Sequence, residues 1–303
     1  MVFTLNHSVP EISGLLIGVV LASHNRREMT LNCLRSLFNC RLLKGWSIKV
    51  VLVDDGSSDG TGQLVREQFP SVIIEHADGT LFWTRAMSRG KSIIASYKPD
   101  FFLWLNDDTT LKSDAIVRLI STQRQLSERY KSPIIIGTTI EPSTGQISYG
   151  GLISESRIRP FKYKLISNTT EAIRCDAMNG NIVLCPKEVF LIVGNLDPNF
   201  EHALGDIDYG LRAVKNGFFL YTAPGFMGYC EKNKTVGKFL DRSLSLVDRW
   251  NFMLSPKGLP IRSWYRFTWR HGGLFWFLYF SWPYCRFFLE AISSIIKRSS
   301  RLN

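Results

Sequence analysis

The chain has 303 residues, 45% of them hydrophobic, enough for one large domain or two modest ones around a substantial core. Its 37 basic and 26 acidic residues leave a net charge of +11. The excess is local, because residues 261–303 hold seven Lys and Arg against the single acid Glu290, which excludes a general nucleic-acid-binding coat.

The elements follow in chain order. The apolar run Gly14 to Ala22 has no Lys or Arg ahead of it, and Arg26-Arg27-Glu28 stands where a small-residue cleavage site would be. It therefore reads as a first buried strand, Leu15 to Leu21, and not as a signal-peptide core. Arg27 to Phe38 has helical periodicity, with Met29, Leu31, Leu34, Leu37 and Phe38 on its buried side. A strand is predicted at Ile48 to Val53, a helix at Gln63 to Gln68, and a short strand at Val72 to Ile74. A helix follows at Trp83 to Tyr97, a strand at Phe101 to Leu105, a helix at Ser113 to Leu126 and a strand at Ile134 to Ile140. Strand-length apolar runs alternating with helical segments predict βαβ units around a mostly parallel sheet. From Ile147 to Cys175 the chain is irregular and polar, as a loop over a cleft would be. Asn181 to Leu184 reads as strand, Pro186 to Val193 as a short helix, Asp206 to Lys215 as a helix stopped by Asn216-Gly217, and Phe218 to Tyr221 as a returning strand.

The six cysteines show no Cys-x-x-Cys pair and no His partner at zinc-finger spacing, so they read as reduced and buried or incidental, as fits a cytosolic chain.

Acidic residues gather at the expected strand ends. In an open α/β sheet ligands collect there. Asn106-Asp107-Asp108-Thr109 follows the strand Phe101 to Leu105; a helix N-cap accounts for one acid, whereas two in a row can hold a divalent cation against a diphosphate. Asp54-Asp55-Gly56-Ser57-Ser58-Asp59 ends the second strand, where a carboxylate can accept a hydrogen bond from a base imide or ribose hydroxyl or simply cap the next helix. Ala22-Ser23-His24-Asn25-Arg26 lies on the same edge, with His24 a binding candidate. Asp78-Gly79 turns into Phe82, Trp83 and Arg85, which either approach a phosphate or pack as core. Asp206 and Asp208, two apart at the start of a helix, point to different faces, so one can serve as a general base while the other caps or supports. No dinucleotide fingerprint or phosphate loop is present.

Taken together and in this order, Ser23-His24-Asn25-Arg26, Val53-Asp54-Asp55-Gly56-Ser57-Ser58-Asp59-Gly60-Thr61, Asn106-Asp107-Asp108-Thr109 and Gly205-Asp206-Ile207-Asp208-Tyr209-Gly210-Leu211-Arg212 resemble glycosyltransferase family 2. The likeness is strongest to its rhamnosyltransferase-like bacterial members that build surface polysaccharide, and it covers about residues 15–230. It implies a GT-A α/β fold for a catalytic domain over residues 1–240, with a helical C-terminal extension over 241–303. It implies a nucleotide-sugar site from Ala22, His24, Arg26, Asp54, Asp55, Asp78, Trp83, Arg85, Asp107, Asn179 and Gly180, with Asp55 on the base. Asp108, with Asp107, would hold Mg or Mn. Asp206 falls where the family places its base, in a motif usually written Glu-Asp; here Gly205 precedes it, which leaves Asp208 a rival. The family's late histidine is missing from Pro224 to Cys230. The implied reaction is inverting transfer to a glycan or lipid-linked acceptor. A non-catalytic nucleotide-sugar-binding protein and a nucleotidyltransferase are the alternatives, and neither they nor the transferase involve nucleic acid.

In the tail, Arg262, Arg266 and Arg270 share one helix face, and an aromatic run from Gly272 to Cys285 follows. Interrupted by Pro283 and Arg286, this run is too short to span a bilayer. Aromatics at headgroup depth with arginines toward anionic lipid predict a cytoplasmic protein peripheral on the inner membrane face.

Overall fold

The structure, a computed structural model, describes residues 14–156, 158–167, 170–233, 239, 241 and 243–299, with side chains as far as Ile292. The tail residues Lys297, Arg298 and Arg301 therefore fall outside the described side chains. Strands and helices alternate first: β1 (Leu15–Ser23), α1 (Arg27–Phe38), β2 (Trp46–Asp55), α2 (Thr61–Gln68), β3 (Ile73–Ala77), α3 (Phe82–Ala95), β4 (Phe101–Leu105), β5 (Thr110–Leu111), α4 (Ala115–Ser127) and β6 (Ile134–Ile140). Then come β7 (Ile147–Tyr149), β8 (Gly151–Ser154), β9 (Tyr163–Leu165), β10 (Arg174–Cys175), β11 (Ala177–Met178), β12 (Ile182–Pro186), α5 (Lys187–Val193), α6 (Gly205–Lys215) and β13 (Leu220–Tyr229). The chain continues in α7 (Leu246–Leu254), α8 (Ile261–His271) and α9 (Trp276–Ser299).

The main sheet runs β10-β13-β6-β12-β4-β1-β2-β3. Its β3-β2-β1-β4 half is parallel, so the tips of these strands open on one edge. Beyond β4 the sheet is mixed, because β12 enters antiparallel between β4 and β6 while β13 is parallel to β6. An apolar run of five residues carries no direction, so the sequence could not announce this insertion. Side chains alternate across the sheet. Ile17, Leu52 and Leu103 pack with Leu34 and Ile120 on one face, and Val20, Val51 and Trp104 with Met87 and Tyr209 on the other. Gly90 lets α3 close onto this second face, since a Cβ there would meet the side chains of Val20 and Val53.

The stretch expected as a loop from Ile147 to Cys175 is instead partly built into sheets. β7 pairs with β6, and β8 is the middle of a small β11-β8-β9 sheet. Strands of two to four residues have too few positions for a periodic signal.

The tail is joined to the rest of the protein by burial and charge together. Trp264 and Phe267 of α8 pack with Phe200, and Leu204 and Ile207 lie against the same cluster. Asp197 accepts from Arg266 Nε at 2.7 Å and Arg270 at 2.5 Å, and Asp208 accepts from Arg270 at 2.6 Å and His271 Nε2 at 2.9 Å. The arginine stripe is thus corrected: Arg266 and Arg270 turn inward to carboxylates and not out to lipid. Among the described residues no helix is long and apolar enough to cross a membrane.

One buried group stands apart from these pairs. Lys91 of α3 is fully buried, with its Nζ 4.2 Å from the centre of the Tyr209 ring and 4.6 Å from that of Trp104, and no hydrogen-bond partner. Burial pushes its pKa down from 10.5 to about 7, with Cys185 and Arg212 the nearest titratable influences. An unfolded chain stays protonated up to the ordinary value, so this lysine's contribution to stability is largest above pH 10.5 and is lost as pH falls through about 7. Lys91→Met removes the ionisable group while keeping an unbranched side chain. The melting temperature at pH 7 is expected to rise, with the gain shrinking as pH climbs toward 10; equal melting temperatures for the two proteins at every pH would show that the amine is not penalised.

Candidate active site

The β1-β2 register places Ser23 beside Asp54, so the loops after both strands open side by side. Asn25, with φ of 52°, turns its amide onto Ser57 Oγ and accepts from Ser58 N at 2.7 Å, tying the two loops together. His24 follows Ala22 and Ser23 at the tip, with Nδ1 2.5 Å from the Asp55 carbonyl. From the same loop Arg26 reaches the end of β4, where one guanidinium nitrogen donates to Asp107 Oδ1 at 3.0 Å and to Asp108 Oδ2 at 2.9 Å.

These acids differ in their surroundings. Asp107 is 4% exposed, and burial, partly offset by Arg26 and reinforced by Asp108, pushes its pKa up to about 6. Its Oδ2 is buried without a hydrogen-bond partner. The Ser23 hydroxyl beside it is committed to Thr30, whose own proton goes to the Arg26 carbonyl. Asp108 is more open, and its Oδ1 lies 3.4 Å from Cys230 Sγ. Burial pushes the Cys230 thiol up to about 12, so it is a protonated donor at neutral pH. Two adjacent carboxylates with an unsatisfied oxygen fit a Mg or Mn whose remaining ligands are diphosphate oxygens and water. Among the described residues no cluster of three or more His, Cys, Asp or Glu forms a metal cage made of protein alone.

Asp55 and Asp54 point to opposite faces of β2. Asp55 accepts from the amides of Gly79 at 3.0 Å, Leu81 at 3.2 Å and Phe82 at 2.9 Å, so it shapes the loop that carries Asp78 and Trp83. About four acceptor directions belong to a carboxylate, and three are taken here. Asp54 is drawn away, 4% exposed, bonded to Ser57 N and packed where Gly62 of α2 leaves room for it. It is as buried as Asp55 and Asp107, and its hydrogen bond goes to the turn that follows β2. Asp78 is exposed and closes its own turn through the Thr80 amide and hydroxyl, which hold its carboxyl below the usual range. Arg85 also departs from expectation, donating to the Pro198 carbonyl and to Glu201 instead of facing the acids.

Trp83 joins the two sides of the site. Its Nε1 donates to Asn106 Oδ1 at 2.8 Å, next to Asp107, and its ring lies where any side chain on Gly180 would sit. Asn179 donates its amide to the Gly150 carbonyl, and Gly180 donates its amide to Asp206 Oδ2 at 2.9 Å. Asp206 is partly buried at the first turn of α6, and burial raises its pKa despite the amides of Ile207 and Gly180. Asp208, two residues on, is fully buried: alone, burial would raise it, but His271, Arg212 and Arg270 hold its carboxyl below the usual range. Asp208 is therefore corrected from rival base to anchor of the tail.

Two features had no signal in the sequence. Phe82 and Leu204, neither a glycine, adopt φ of 57° and 73° next to Trp83 and Asp206. Such conformations cost about 1–3 kcal/mol and concentrate at functional sites. His202, one turn of chain before Asp206, faces the Phe82 ring, and burial pushes its pKa down to about 4, so it is neutral at physiological pH.

A family model described as glycosyl transferase family 2 matches residues 18–181, more than half of the chain. No curated protein matches it. The matched stretch starts within β1 and ends one residue past Gly180, so it takes in the Arg26 loop, the Asp55 turn, Trp83 and the Asp107-Asp108 pair. With these loops on one edge of an α/β sheet, the chain belongs to glycosyl transferase family 2, whose members are nucleotide-sugar glycosyltransferases.

Proposed function

We propose that the protein is an inverting glycosyltransferase that moves a sugar from a nucleoside-diphosphate donor to a hydroxyl of a glycan or lipid-linked acceptor. Rhamnose as the sugar and bacterial surface polysaccharide as the product rest on the family likeness. The observation that carries this reading is Asp206, a partly buried carboxylate with raised pKa, held by the Gly180 amide on the far side of Trp83 from the Asp107-Asp108 pair. In one displacement Asp206 takes the acceptor hydroxyl proton, the new bond forms between that oxygen and the anomeric carbon, and the bond to the diphosphate breaks. Asp108 and Asp107 would hold Mg or Mn, which neutralises charge on the departing diphosphate. Arg26 is placed to release these carboxylates and move onto phosphate oxygens when donor and cation arrive, a bidentate role suited to guanidinium.

Gly205 in place of the family's Glu has a packing reason. A side chain there would collide with Thr84, whose amide donates to the Glu201 carbonyl and whose hydroxyl donates to that of His202. The substitution therefore lends little weight to a non-catalytic reading.

The tail supports a location at a membrane surface. Leu278, Trp282, Leu289 and Ile292 recur along one exposed face of α9, and Leu274, 89% exposed, stands just ahead of it. Contiguous exposed apolar surface of this kind marks an interaction site, and the +11 charge suits the anionic cytoplasmic leaflet.

Asp206→Asn should keep donor binding while single-turnover sugar transfer falls at least about 100-fold, the scale of general-base catalysis; transfer within a few-fold of wild type takes Asp206 out of the role. Asp108→Ala is expected to abolish the extra thermal stabilisation that Mg or Mn gives with a nucleoside diphosphate, and an undiminished shift would remove Asp108 as a ligand. Leu274→Glu combined with Trp282→Glu should move the protein from the pellet to the supernatant when spun with vesicles of anionic phospholipid. Cosedimentation unchanged by both substitutions would place the membrane contact elsewhere or nowhere.

A further inference from the structure

A cavity of about 430 Å³ lies between α8 and the segment leading to Asp206. One wall is a single face of α8, with Arg262, Tyr265, Arg266 and Trp269 at positions i, i+3, i+4 and i+7. The opposite wall is Arg85, Asn199 and Glu201. The other face of α8 is spent on the core through Trp264 and Phe267; on the cavity face Tyr265 stands edge-on against Trp276 and Phe280 of α9, while the Trp269 ring has no aromatic partner among the described residues. Tyr265 is 46% exposed and Trp269 58%. Arg262 has no ion-pair partner among the described residues, while Arg266 is fixed by Asp197 and Arg85 by Glu201 and the Pro198 carbonyl.

We propose that this cavity binds the glycan portion of the acceptor, behind the sugar whose hydroxyl reacts. The inference rests on the glycosyltransferase reading and adds the substrate contact made by the tail. A sugar ring offers an apolar C–H face and a rim of hydroxyls. Flat aromatic side chains take the first, and fixed guanidinium, carboxamide and carboxylate groups take the second. The cavity supplies both sets, with the aromatics and two arginines on α8 and Arg85, Asn199 and Glu201 across from them. It is also continuous with the catalytic residue: Thr84 binds the carbonyls of Glu201 and His202 and packs on Gly205, directly before Asp206. Asp206 stands five positions after Glu201, a span of at most about 18 Å. A glycan seated against Trp269 can therefore extend toward the base along one short, anchored segment. The pre-set arginines lower the ordering cost of binding, since two of the three are already held by carboxylates.

The test uses full-length protein, fluorescently labelled, on an array of bacterial surface oligosaccharides of two or more sugars. Trp269→Ala and Arg262→Ala are compared with wild type, and both side chains lie outside the buried cluster of α8. Wild type is expected to retain a defined subset of oligosaccharides, and each variant to bind that subset about tenfold more weakly, the loss of one good contact. The melting temperature, and its shift by UDP or dTDP with Mg, should be unchanged in both variants. Retention of the same oligosaccharides at wild-type affinity by both variants, or no oligosaccharide retained by wild type, overturns the proposal. Failure of the glycosyltransferase reading shows separately, as no shift with any nucleoside diphosphate.

Discussion

The Arg26 guanidinium between Asp107 and Asp108 is the contact on which the site depends. Two neighbouring carboxylates at a half-buried strand tip repel each other and pay for lost water, and one of them, Asp107, is already pushed up to about 6. A single nitrogen shared at 3.0 and 2.9 Å offsets that cost and draws the loop after β1 against the loop after β4. The loop after β2 is tied into the same edge by Asn25, and the loop after β3 by Asp55. Removing the guanidinium would leave the buried Asp107 carboxylate uncompensated, while solvent reaching Arg26 and Asp108 screens part of that cost. The proposed function would draw on the same physics: a bound divalent cation would take over the carboxylates and free the guanidinium for phosphate.

Close backbone approach does the rest. Gly180 and Gly205 are the positions where Trp83 and Thr84 of α3 press against the segment that hydrogen-bonds Asp206 and the segment that carries it, leaving no room for a Cβ at either. Asp206 is thereby fixed from both sides by elements that are far apart in sequence. The left-handed Phe82 and Leu204 lie one residue before Trp83 and one before Gly205, where the chain must turn abruptly to make these contacts. Backbone strain at these points is balanced by packing, Leu204 against the α8 cluster and the Phe82 amide on Asp55.

The alternating strands and helices were legible because the parallel half of the sheet is buried on both faces and its strands read as continuous apolar runs. Acidic tips were legible for the same reason, since charge directly after such a run stands out. Direction was not, so β12 went unrecognised as antiparallel. Partners distant in sequence were not legible either. Asp206 and Asp208 look alike as residues; what separates them is that His271 and Arg270, more than sixty positions away, close over Asp208. Asp54 and Asp55 differ only by the alternation of one strand, which sends the first under α2 and the second into the loop of Gly79. The i, i+4, i+8 spacing of Arg262, Arg266 and Arg270 did report one helix face, but spacing carries no information about which way that face looks.

That orientation gives the tail two jobs at once. Because Arg266 and Arg270 are consumed by Asp197 and Asp208, α8 is a buttress of the segment between residues 197 and 208, which includes Asp206. Charge that would otherwise favour water is neutralised inside, so the apolar stripe of α9 is left as the feature facing outward. Arg262, Tyr265 and Trp269 stay on the open side of α8 and line the cavity. Under the proposed function these side chains would hold the acceptor at a point away from its reacting hydroxyl. Anchoring the remote part of a substrate in this way holds the reacting hydroxyl near its target, and the orientation so gained appears as rate and not only as affinity.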